Sequence, residues 1–329
     1  MNKKTILLTG GTGSFGHQFI KYIFTIYKPL KVIVYSRDEF KQYEMSKTFN
    51  KTRYKGLRFF IGDIRDKDRL NSALKNVDYV IHAAALKHVP IAEYNPQECI
   101  KTNIIGAQNL IDCSIKNNVK KVIALSTDKA SNPGNLYGAT KLVSDKLFIS
   151  SNILAAHVDT VFSVVRYGNV LNSRGSVIPY FKSLISSNKE LTVTDKNMTR
   201  FFISIENAVK FCVESFNIMK GGEIFIPKIP SMKIFDIAMG LSNNSKIKII
   251  GTRPGEKLHE SLCSADDSHY TYENKKSYVI IPSINLPSRN ISSSKMRNYK
   301  KVKSGFEYNS NKNSNFLNKK KVKQLLSKI

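Results

Sequence analysis

Tyr137 and Lys141 stand four residues apart, and together their side chains could transfer a proton. At that spacing on a helix both lie on one face, so the lysine ammonium can lower the pKa of the phenol and hold both groups over a bound cofactor. This arrangement is typical of a base for hydride transfer. The same spacing also arises by chance on many helices, so the pair needs support from its surroundings.

The support comes from the segment just before the pair, Ser126-Thr127-Asp128-Lys129. Residues 121–126 have the apolar pattern of a buried strand. Such a strand delivers Thr127, Asp128 and Lys129 to the carboxyl end of a parallel sheet, where open α/β folds bind their ligands. The sequence therefore predicts a strand-end carboxylate and amine beside the tyrosine and lysine.

A glycine-rich loop stands near the start of the chain, between a predicted strand at residues 4–9 and a helical apolar pattern. Glycines at three-residue spacing let the backbone turn tightly and approach a pyrophosphate, and the following helix offers free N–H groups to the anion. We therefore predict a dinucleotide-binding loop made by Gly10, Thr12, Gly13, Ser14, Phe15 and Gly16.

The end of the second predicted strand, residues 31–36, bears on the choice of cofactor. Ser36 and Arg37 offer a hydroxyl and a guanidinium suited to a 2′-phosphate, which favours NADP. The alternative is that Arg37 is solvated and that Asp38 binds the ribose of NAD.

Later strands complete the predicted cofactor site. One carboxylate after the strand at 57–61 can accept the adenine amino group, and small side chains after the strand at 79–82 let the cofactor lie against the backbone. These further cofactor contacts are Asp63, Ile64, Ala83 and Ala84. Strands that alternate with helices in this way predict an α/β, Rossmann-like, doubly wound parallel sheet.

The alternation of strands and helices loosens after residue 172. We predict that residues 1–172 form an NADP-binding Rossmann domain and that 173–329 mainly form a smaller α/β domain for the substrate. Residues 199–227 are predicted to return to the first domain.

Composition narrows the class of protein. The 329 residues are 41% apolar, as in a globular protein. No run approaches the roughly 18 apolar residues of a membrane span, and the first apolar run ends at Thr9-Gly10, so we expect a cytoplasmic protein without membrane contact. The cysteines lack a C-x-x-C pair and the histidines lack an H-E-x-x-H pattern, so we expect reduced thiols and no metal.

The net charge of +27 comes from 52 Lys and Arg against 25 Asp and Glu. Such a balance makes nucleic acid a candidate partner. The charge is spread along the whole chain without a nucleic-acid-binding motif, so we expect no such partner. A negatively charged nucleotide substrate would still be attracted by this field.

With the glycine loop, the Ser-Thr-Asp-Lys-Ala run at 126–130 and the Tyr137/Lys141 pair, the chain resembles the extended short-chain dehydrogenase/reductase superfamily that acts on nucleotide sugars. Within it, the chain is similar to the inverting UDP-N-acetylglucosamine 4,6-dehydratases of pseudaminic acid biosynthesis. The run at 126–130 is the most specific segment, because retaining dehydratases carry an Asp-Glu pair there.

The resemblance implies conversion of UDP-N-acetylglucosamine into a UDP-2-acetamido-2,6-dideoxy-hexos-4-ulose with inversion at C5. It also implies tightly bound, recycled NADP and a homo-oligomer, a hexamer or a dimer. In this scheme Tyr137 takes the C4 hydroxyl proton while Lys141 lowers its pKa and binds the nicotinamide ribose. Lys129, as a neutral amine, takes the C5 proton, Asp128 protonates the departing C6 hydroxyl, and Thr127 hydrogen-bonds the sugar.

The resemblance also implies a set of substrate contacts. Arg253 would bind the diphosphate and Glu256 the uridine ribose, with Asn169 and Val177 nearby. The alternative for Arg253 and Glu256 is a local ion pair. Lys87 is a candidate contact for cofactor and substrate, or else a surface lysine.

Two other functions stay open at this point. A nucleotide-sugar C4 epimerase, or a dehydratase for another nucleotide sugar, would use the same Tyr137/Lys141 pair, although a simple epimerase has no need of Asp128 and Lys129. A non-catalytic cofactor-binding module would give the strong positive charge a use, but it needs none of these four groups.

Overall fold

A large twisted sheet forms the centre of the molecule in the computed structural model, which describes residues 1–50, 52–242, 245–286 and 298–327. Helices and strands account for most of the described residues. The described strands are β1 (Thr5–Thr9), β2 (Lys31–Ser36), β3 (Leu57–Ile61), β4 (Tyr79–His82), β5 (Lys121–Thr127), β6 (Val161–Tyr167), β7 (Asn169–Val170), β8 (Leu191–Val193), β9 (Thr199–Ile203), β10 (Ile224–Pro227), β11 (Ser231–Lys233), β12 (Ile247–Ile249), β13 (Ser261–Cys263), β14 (Thr271–Glu273), β15 (Ser277–Ile280), β16 (Lys300–Lys301) and β17 (Tyr308–Asn309).

The helices lie mainly between these strands. The described α-helices are α1 (Ser14–Ile26), α2 (Glu39–Thr48), α3 (Lys67–Ala73), α4 (Val89–Tyr94), α5 (Pro96–Ile100), α6 (Gly106–Lys116), α7 (Leu136–Leu154), α8 (Val177–Ser186), α9 (Ile205–Ile218), α10 (Ile234–Leu241) and α11 (Lys319–Leu326). Short 3₁₀ turns follow β5 at Asp128–Ala130, follow α7 at Ala155–His157 and precede β14 at Asp266–Tyr270, and a π-helical turn, Lys101–Ile105, joins α5 to α6.

The central sheet has ten strands in the order β16-β14-β15-β10-β6-β5-β4-β1-β2-β3. From β3 to β10 all neighbours are parallel, and β15, β14 and β16 add an antiparallel edge. The order 3-2-1-4-5-6 is that of the Rossmann fold. The predicted doubly wound parallel sheet is therefore confirmed.

Continuous apolar runs explain why the central strands are buried on both faces. The residues Ile6, Leu7 and Leu8 of β1 are fully buried, as expected for a parallel strand covered by helices on both sides. Helix α1 packs against α9, and helix α6 packs against α3 and α7. The carboxyl ends of the parallel strands are thereby left to the loops that carry the site.

A second apolar core lies apart from the sheet. Phe181 of α8, Val193 of β8, Ile237 of α10 and Val322 of α11 belong to it. Within the segment predicted to return to the first domain, β10 lies in the large sheet, whereas β9 pairs with β7 and β11. The later strands β14, β15 and β16 extend the large sheet as well. The domain boundary at residue 172 stays a prediction.

The π-helical turn between α5 and α6 fixes one wall of the site. Its Asn103 is buried and exchanges hydrogen bonds with the backbone of Leu86, accepting from its N–H at 2.8 Å and donating to its carbonyl at 2.9 Å. The same amide donates to Thr140 Oγ1 of α7 at 3.0 Å. This amide therefore ties the loop after β4 to the helix that carries the tyrosine and lysine. Such turns often occur at functional sites.

Candidate active site

A cavity of about 1700 Å³ opens at the carboxyl ends of the parallel strands. The structure brings nearly all the predicted site residues to its wall, and only Gly16 and Asp128 are not among the lining residues. Those that line it are Gly10, Thr12, Gly13, Ser14, Phe15, Ser36, Arg37, Asp63, Ile64, Ala83, Ala84, Lys87, Thr127, Lys129, Tyr137, Lys141, Asn169, Val177, Arg253 and Glu256.

The glycine loop is shaped for close backbone contact. Gly10 has φ +64, and a Cβ there would lie 2.8 Å from the Ala84 backbone. Gly16 does not line the cavity because it packs beneath the loop, where a Cβ would meet the Gly11 carbonyl oxygen at 1.8 Å. Helix α1 begins with no side-chain cap and no acidic residue in its first turn. Its free N–H groups therefore suit an anion such as a pyrophosphate.

Carboxylates and arginines meet at the end of β2. Asp38 caps α2 by accepting from the Lys41 N–H at 2.9 Å, and it also pairs with the Lys41 ammonium at 2.6 Å. Asp63 pairs with Arg65 at 2.7 Å and with Arg37 at 3.8 Å. Burial raises the pKa of Asp63, but the hydrogen bonds from Arg65 outweigh this effect and hold the pKa below its ordinary value. Arg37 itself stays 56% exposed beside the cavity.

The strand-end group after β5 is held by short contacts. The Thr127 hydroxyl donates to Asp128 Oδ1 at 2.9 Å, and the Lys129 ammonium donates to the same oxygen at 3.1 Å. The side chain of Asp128 is 0% exposed, whereas that of Lys129 is 20% exposed and lines the cavity. The carboxylate therefore lies behind Lys129 and Thr127, and it is linked to the cavity through its hydrogen bonds with these two residues.

A second carboxylate changes the expected charge of Lys129. Glu260 Oε1 lies 3.3 Å from the Lys129 Nζ atom, on a side chain that is 3% exposed. Burial lowers the pKa of Lys129, but Asp128 and Glu260 outweigh it and raise the pKa above its ordinary value. The two carboxylates therefore favour the ammonium form of Lys129 in this structure, whereas the sequence led us to expect a neutral amine.

Tyr137 and Lys141 share one face of α7, but their closest electrostatic and hydrogen-bond partners are other groups. Burial raises the pKa of Tyr137 to about 12, and the influences that lower it are the charge of Lys129 and a hydrogen bond with Thr127. The Lys141 ammonium donates instead to the Leu125 carbonyl at 2.8 Å, and burial lowers its own pKa. Lys141 is thus bound to the end of β5, and the expectation that it lowers the phenol pKa stays a prediction.

Close backbone packing places the tyrosine beside the strand-end group. Asn135 caps α7 by accepting from the Gly138 N–H at 2.8 Å. A Cβ on Gly138 would lie only 2.3 Å from the Lys129 carbonyl oxygen. Only glycine lets the first turn of α7 approach the turn at Asp128–Ala130 so closely.

The loop at residues 253–256 forms the far wall. Glu256 accepts from the backbone N–H of Arg253 at 3.3 Å, and its other oxygen lies 4.0 Å from the Arg200 guanidinium. The ion pair of Glu256 is thus with Arg200. At the opposite wall, the Lys87 ammonium donates to the Arg174 carbonyl at 2.9 Å. Asn169 and Val177 also line the cavity.

Sequence reasoning missed three charged residues around Lys129. Glu260, Arg200 and Lys257 come from the loop before β13 and from β9, which are distant from Lys129 along the chain. Arg200 lies in residues 198–201, one of the segments that carry the family resemblance, and Glu260 directly follows a second such segment, 253–259. The charged residues of the run R-P-G-E-K-L-H-E could have indicated these groups, but only the fold shows which side chains face Lys129.

The described residues, with gaps at 51, 243–244, 287–297 and 328–329, contain no group of three or more His, Cys, Asp or Glu side chains able to hold a metal ion. None of their helices is both long and apolar enough to cross a membrane.

Comparison with known proteins places the chain in a family. The profile of the polysaccharide biosynthesis protein family matches residues 6–282. The chain belongs to this family. It is 57% identical to the UDP-N-acetylglucosamine 4,6-dehydratase (inverting) of Campylobacter jejuni over 330 residues, which covers 99% of this chain and 98% of that enzyme.

Other relatives of this polysaccharide biosynthesis protein carry different names. The UDP-glucose 4-epimerase of Rickettsia bellii is 42% identical over 332 residues, covering 98% of this chain and 95% of that protein. The X-ray structure of Pen from Bacillus thuringiensis superimposes with a TM-score of 0.90 at 37% identity, covering 100% of this chain and 99% of that chain. The fold and family are therefore established.

Proposed function

We propose that this protein is an NADP-dependent UDP-N-acetylglucosamine 4,6-dehydratase, a hydro-lyase that inverts C5 of the sugar. The observation that carries the proposal is the Asp128–Lys129 pair, because its lysine lines the same cavity as Tyr137 and is bound to the buried carboxylate behind it. A simple epimerase exchanges hydride at one carbon and needs no second acid–base pair. The 57% identity to an enzyme of that name supports the same activity.

The residues at the glycine loop fit a dinucleotide. The Gly10 backbone, the uncapped start of α1 and the half-exposed Arg37 would hold its pyrophosphate and 2′-phosphate. When bound, the nicotinamide accepts the C4 hydride and returns it to C6. The engagement of Asp38 in capping α2 favours NADP over NAD, because that carboxylate is already occupied.

Tight retention of the cofactor has a physical basis in the segment around Arg174. The Arg174 N–H donates to Ser14 Oγ at 3.3 Å, and its carbonyl accepts from Lys87 at 2.9 Å. This segment therefore lies across the glycine loop and would slow release of a bound dinucleotide. Lys87 acts here by holding the segment.

Tyr137 starts the reaction. Its phenolate accepts the proton of the C4 hydroxyl as the C4 hydride leaves, and the hydrogen bond with Thr127 and the charge of Lys129 favour that phenolate. Lys141, fixed to the Leu125 carbonyl, lies one helical turn away where it can bind the nicotinamide ribose. The new C4 ketone makes the C5 proton acidic.

The Asp128–Lys129 pair handles the elimination. Lys129 is the member that lines the cavity, so protons exchanged with the sugar pass through its Nζ atom. The Lys129 ammonium gives one proton to the C6 hydroxyl, which departs as water, and the amine formed in this way takes the C5 proton, so the proton count of the pair is unchanged. Asp128 compensates the changing charge of Nζ through the 3.1 Å hydrogen bond. Inversion then requires the proton that returns to C5 to arrive on the opposite face.

The remaining substrate contacts follow the cavity wall. Asn169, Val177, Arg253 and Glu256 would hold the UDP moiety at the end away from the glycine loop. We further propose that the enzyme acts in the cytoplasm as a homo-oligomer, a hexamer or a dimer, without nucleic acid or a membrane as partner.

The decisive experiment is incubation of the purified protein with UDP-N-acetylglucosamine in D₂O, followed by NMR of C5 and C6. We expect a 4-keto-6-deoxy product with deuterium and inverted configuration at C5, and release of NADP when the protein is denatured and its nucleotide identified by mass spectrometry. Lys129→Gln should abolish the elimination. Sugar that is only epimerised at C4 would overturn the proposal in favour of an epimerase, and retained configuration at C5 would overturn the role of the pair.

A further inference from the structure

Glu260 is a buried carboxylate with a rigid backbone at the edge of the cavity. Its N–H donates to Ser310 Oγ at 3.0 Å, and its carbonyl accepts from the Ser310 N–H at 2.8 Å. These contacts lie just before β13 and fix the direction in which the side chain leaves the backbone. The side chain is 3% exposed, and Glu260 lines the cavity.

Three cations face this carboxylate. Oε1 lies 3.3 Å from Lys129 Nζ and 3.8 Å from Arg200 Nε, and Oε2 lies 3.9 Å from Lys257 Nζ. Oε2 makes no hydrogen bond to any described residue; its distance to Lys257 is within range for an ion pair but too long for a hydrogen bond. Among the residues that the structure describes, the only other carboxylate bound to Lys129 is that of Asp128, on the neighbouring residue.

The other two cations do not need Glu260 for their hydrogen bonds. The Arg200 guanidinium already donates to the backbone carbonyls of Thr199, Lys257 and Leu258, at 2.8, 2.8 and 3.1 Å. Lys257 donates to the Ser131 carbonyl at 3.0 Å. The shortest contact of the Glu260 carboxylate with a cation is therefore the one with Lys129. A buried carboxylate with an unpartnered oxygen is costly to keep, and such groups concentrate at functional sites.

We propose, on the basis of the dehydratase function argued above, that Glu260 is a positioning residue that acts through Lys129. Glu260 and Asp128 hold the Lys129 ammonium between them, so its Nζ atom stays directed at the C5–C6 bond of the sugar. The two carboxylates also stabilise the ammonium, which gives one proton to the departing C6 hydroxyl and regains one from C5. The C4 step, which belongs to Tyr137, does not depend on Glu260 in this way.

Glu260→Gln tests this assignment because it removes the charge and keeps the shape. The wild-type enzyme and the variant are compared in D₂O for the rate of deuterium entry at C5, and in single turnovers for the absorbance of reduced nicotinamide, which reports C4 oxidation. We expect C5 exchange to fall roughly tenfold or more, because Nζ is no longer held in place against the C5–C6 bond, while C4 oxidation changes less than about twofold. Removing one of the two carboxylates that raise the pKa of Lys129 also moves the pH limb of C5 exchange to lower pH.

Two further variants separate positioning from folding. Glu260→Asp keeps the charge and should restore part of the C5 exchange. Glu307→Gln is the matched control, since Glu307 hydrogen-bonds Ser261 in β13 and does not line the cavity; it should leave C5 exchange as in the wild type. Thermal unfolding is followed for all three.

The outcomes distinguish this proposal from the proposed function. Equal C5 exchange in wild type and Glu260→Gln would overturn the role of Glu260 alone. The same would follow if Glu260→Gln slowed C4 oxidation and C5 exchange equally, or if Glu260→Asp unfolded the protein as much as Glu260→Gln. Absence of C5 deuterium in the wild-type product would overturn the dehydratase and the role of Glu260 together.

Discussion

The Thr127 hydroxyl contacts both acid–base groups of the site. It donates to Asp128 at 2.9 Å, and by turning its single proton to the phenolate it lowers the pKa of Tyr137. This makes Thr127 more than a sugar contact, which is the only role the sequence suggested for it. Because burial raises the pKa of Tyr137 to about 12, any loss of stabilisation of the phenolate should be felt directly in the C4 step.

Thr127→Val should therefore slow C4 oxidation. Without the hydroxyl the pKa of Tyr137 rises further, so at neutral pH the phenolate fraction falls by about tenfold per pKa unit and the rate falls with it. The rising limb of the pH profile of C4 oxidation moves to higher pH. Thr127→Ser keeps the hydroxyl and should keep the wild-type profile. Identical profiles for the Val and Ser variants would show that this hydrogen bond does not act on Tyr137.

At the scale of elements, the site depends on how closely α7 approaches the turn after β5. The sequence predicted a strand at 121–126 and a helix that carries Tyr137 and Lys141, and both are confirmed by β5 and α7, because apolar runs are local signals. Between Pro96 and Lys116 the helical segment is divided by the π-helical turn at Lys101–Ile105. Its cause is tertiary, since Asn103 there serves the Leu86 backbone and Thr140.

Gly138→Ala should disturb this approach. The added methyl would lie 2.3 Å from the Lys129 carbonyl oxygen, so α7 and the turn must separate. We expect a loss of about 1–3 kcal/mol in the free energy of unfolding and a marked loss of C5 exchange. Alanine has the higher helix propensity, so a loss cannot come from that source.

Gly134→Ala provides the matched comparison four residues earlier. A Cβ at Gly134 would meet the Lys257 Cε atom at 3.6 Å, which is ordinary contact. This variant should fold and react like the wild type. If the two alanine variants behaved alike in unfolding and exchange assays, close packing at Gly138 would not be what positions Lys129.

At the scale of the whole molecule, neighbouring helical elements expose apolar side chains. We call Ile91 and Tyr94 of α4, Ile105 of the π-helical turn and Val143 of α7 the helical surface; their exposed fractions are 56%, 87%, 48% and 41%. Helix α7 packs against both α4 and the π-helical turn. Exposed apolar side chains on neighbouring helices are typical of interaction sites, which supports the proposed homo-oligomer.

Replacing Ile105 and Val143 together by lysine should weaken self-association. The two ammonium groups would have to be desolvated in an apolar interface, so sedimentation velocity should show a smaller species than for the wild type. Ile26→Lys, at an exposed position on α1, is the control and should sediment like the wild type. Unchanged sedimentation of the double variant would place the interface elsewhere.

The sequence by itself predicted the doubly wound parallel sheet and the residues at the carboxyl ends of its strands. Apolar runs and glycine spacing act between near neighbours, so the cofactor end of the cavity wall followed from local patterns, whereas Asn169, Val177, Arg253 and Glu256 came from the family resemblance. Only the tertiary structure decided the charge of Lys129 and the partner of Lys141. These depend on Glu260 and on the Leu125 carbonyl, and electrostatic effects on a buried group depend on distance in space and desolvation, which spacing along the chain does not specify.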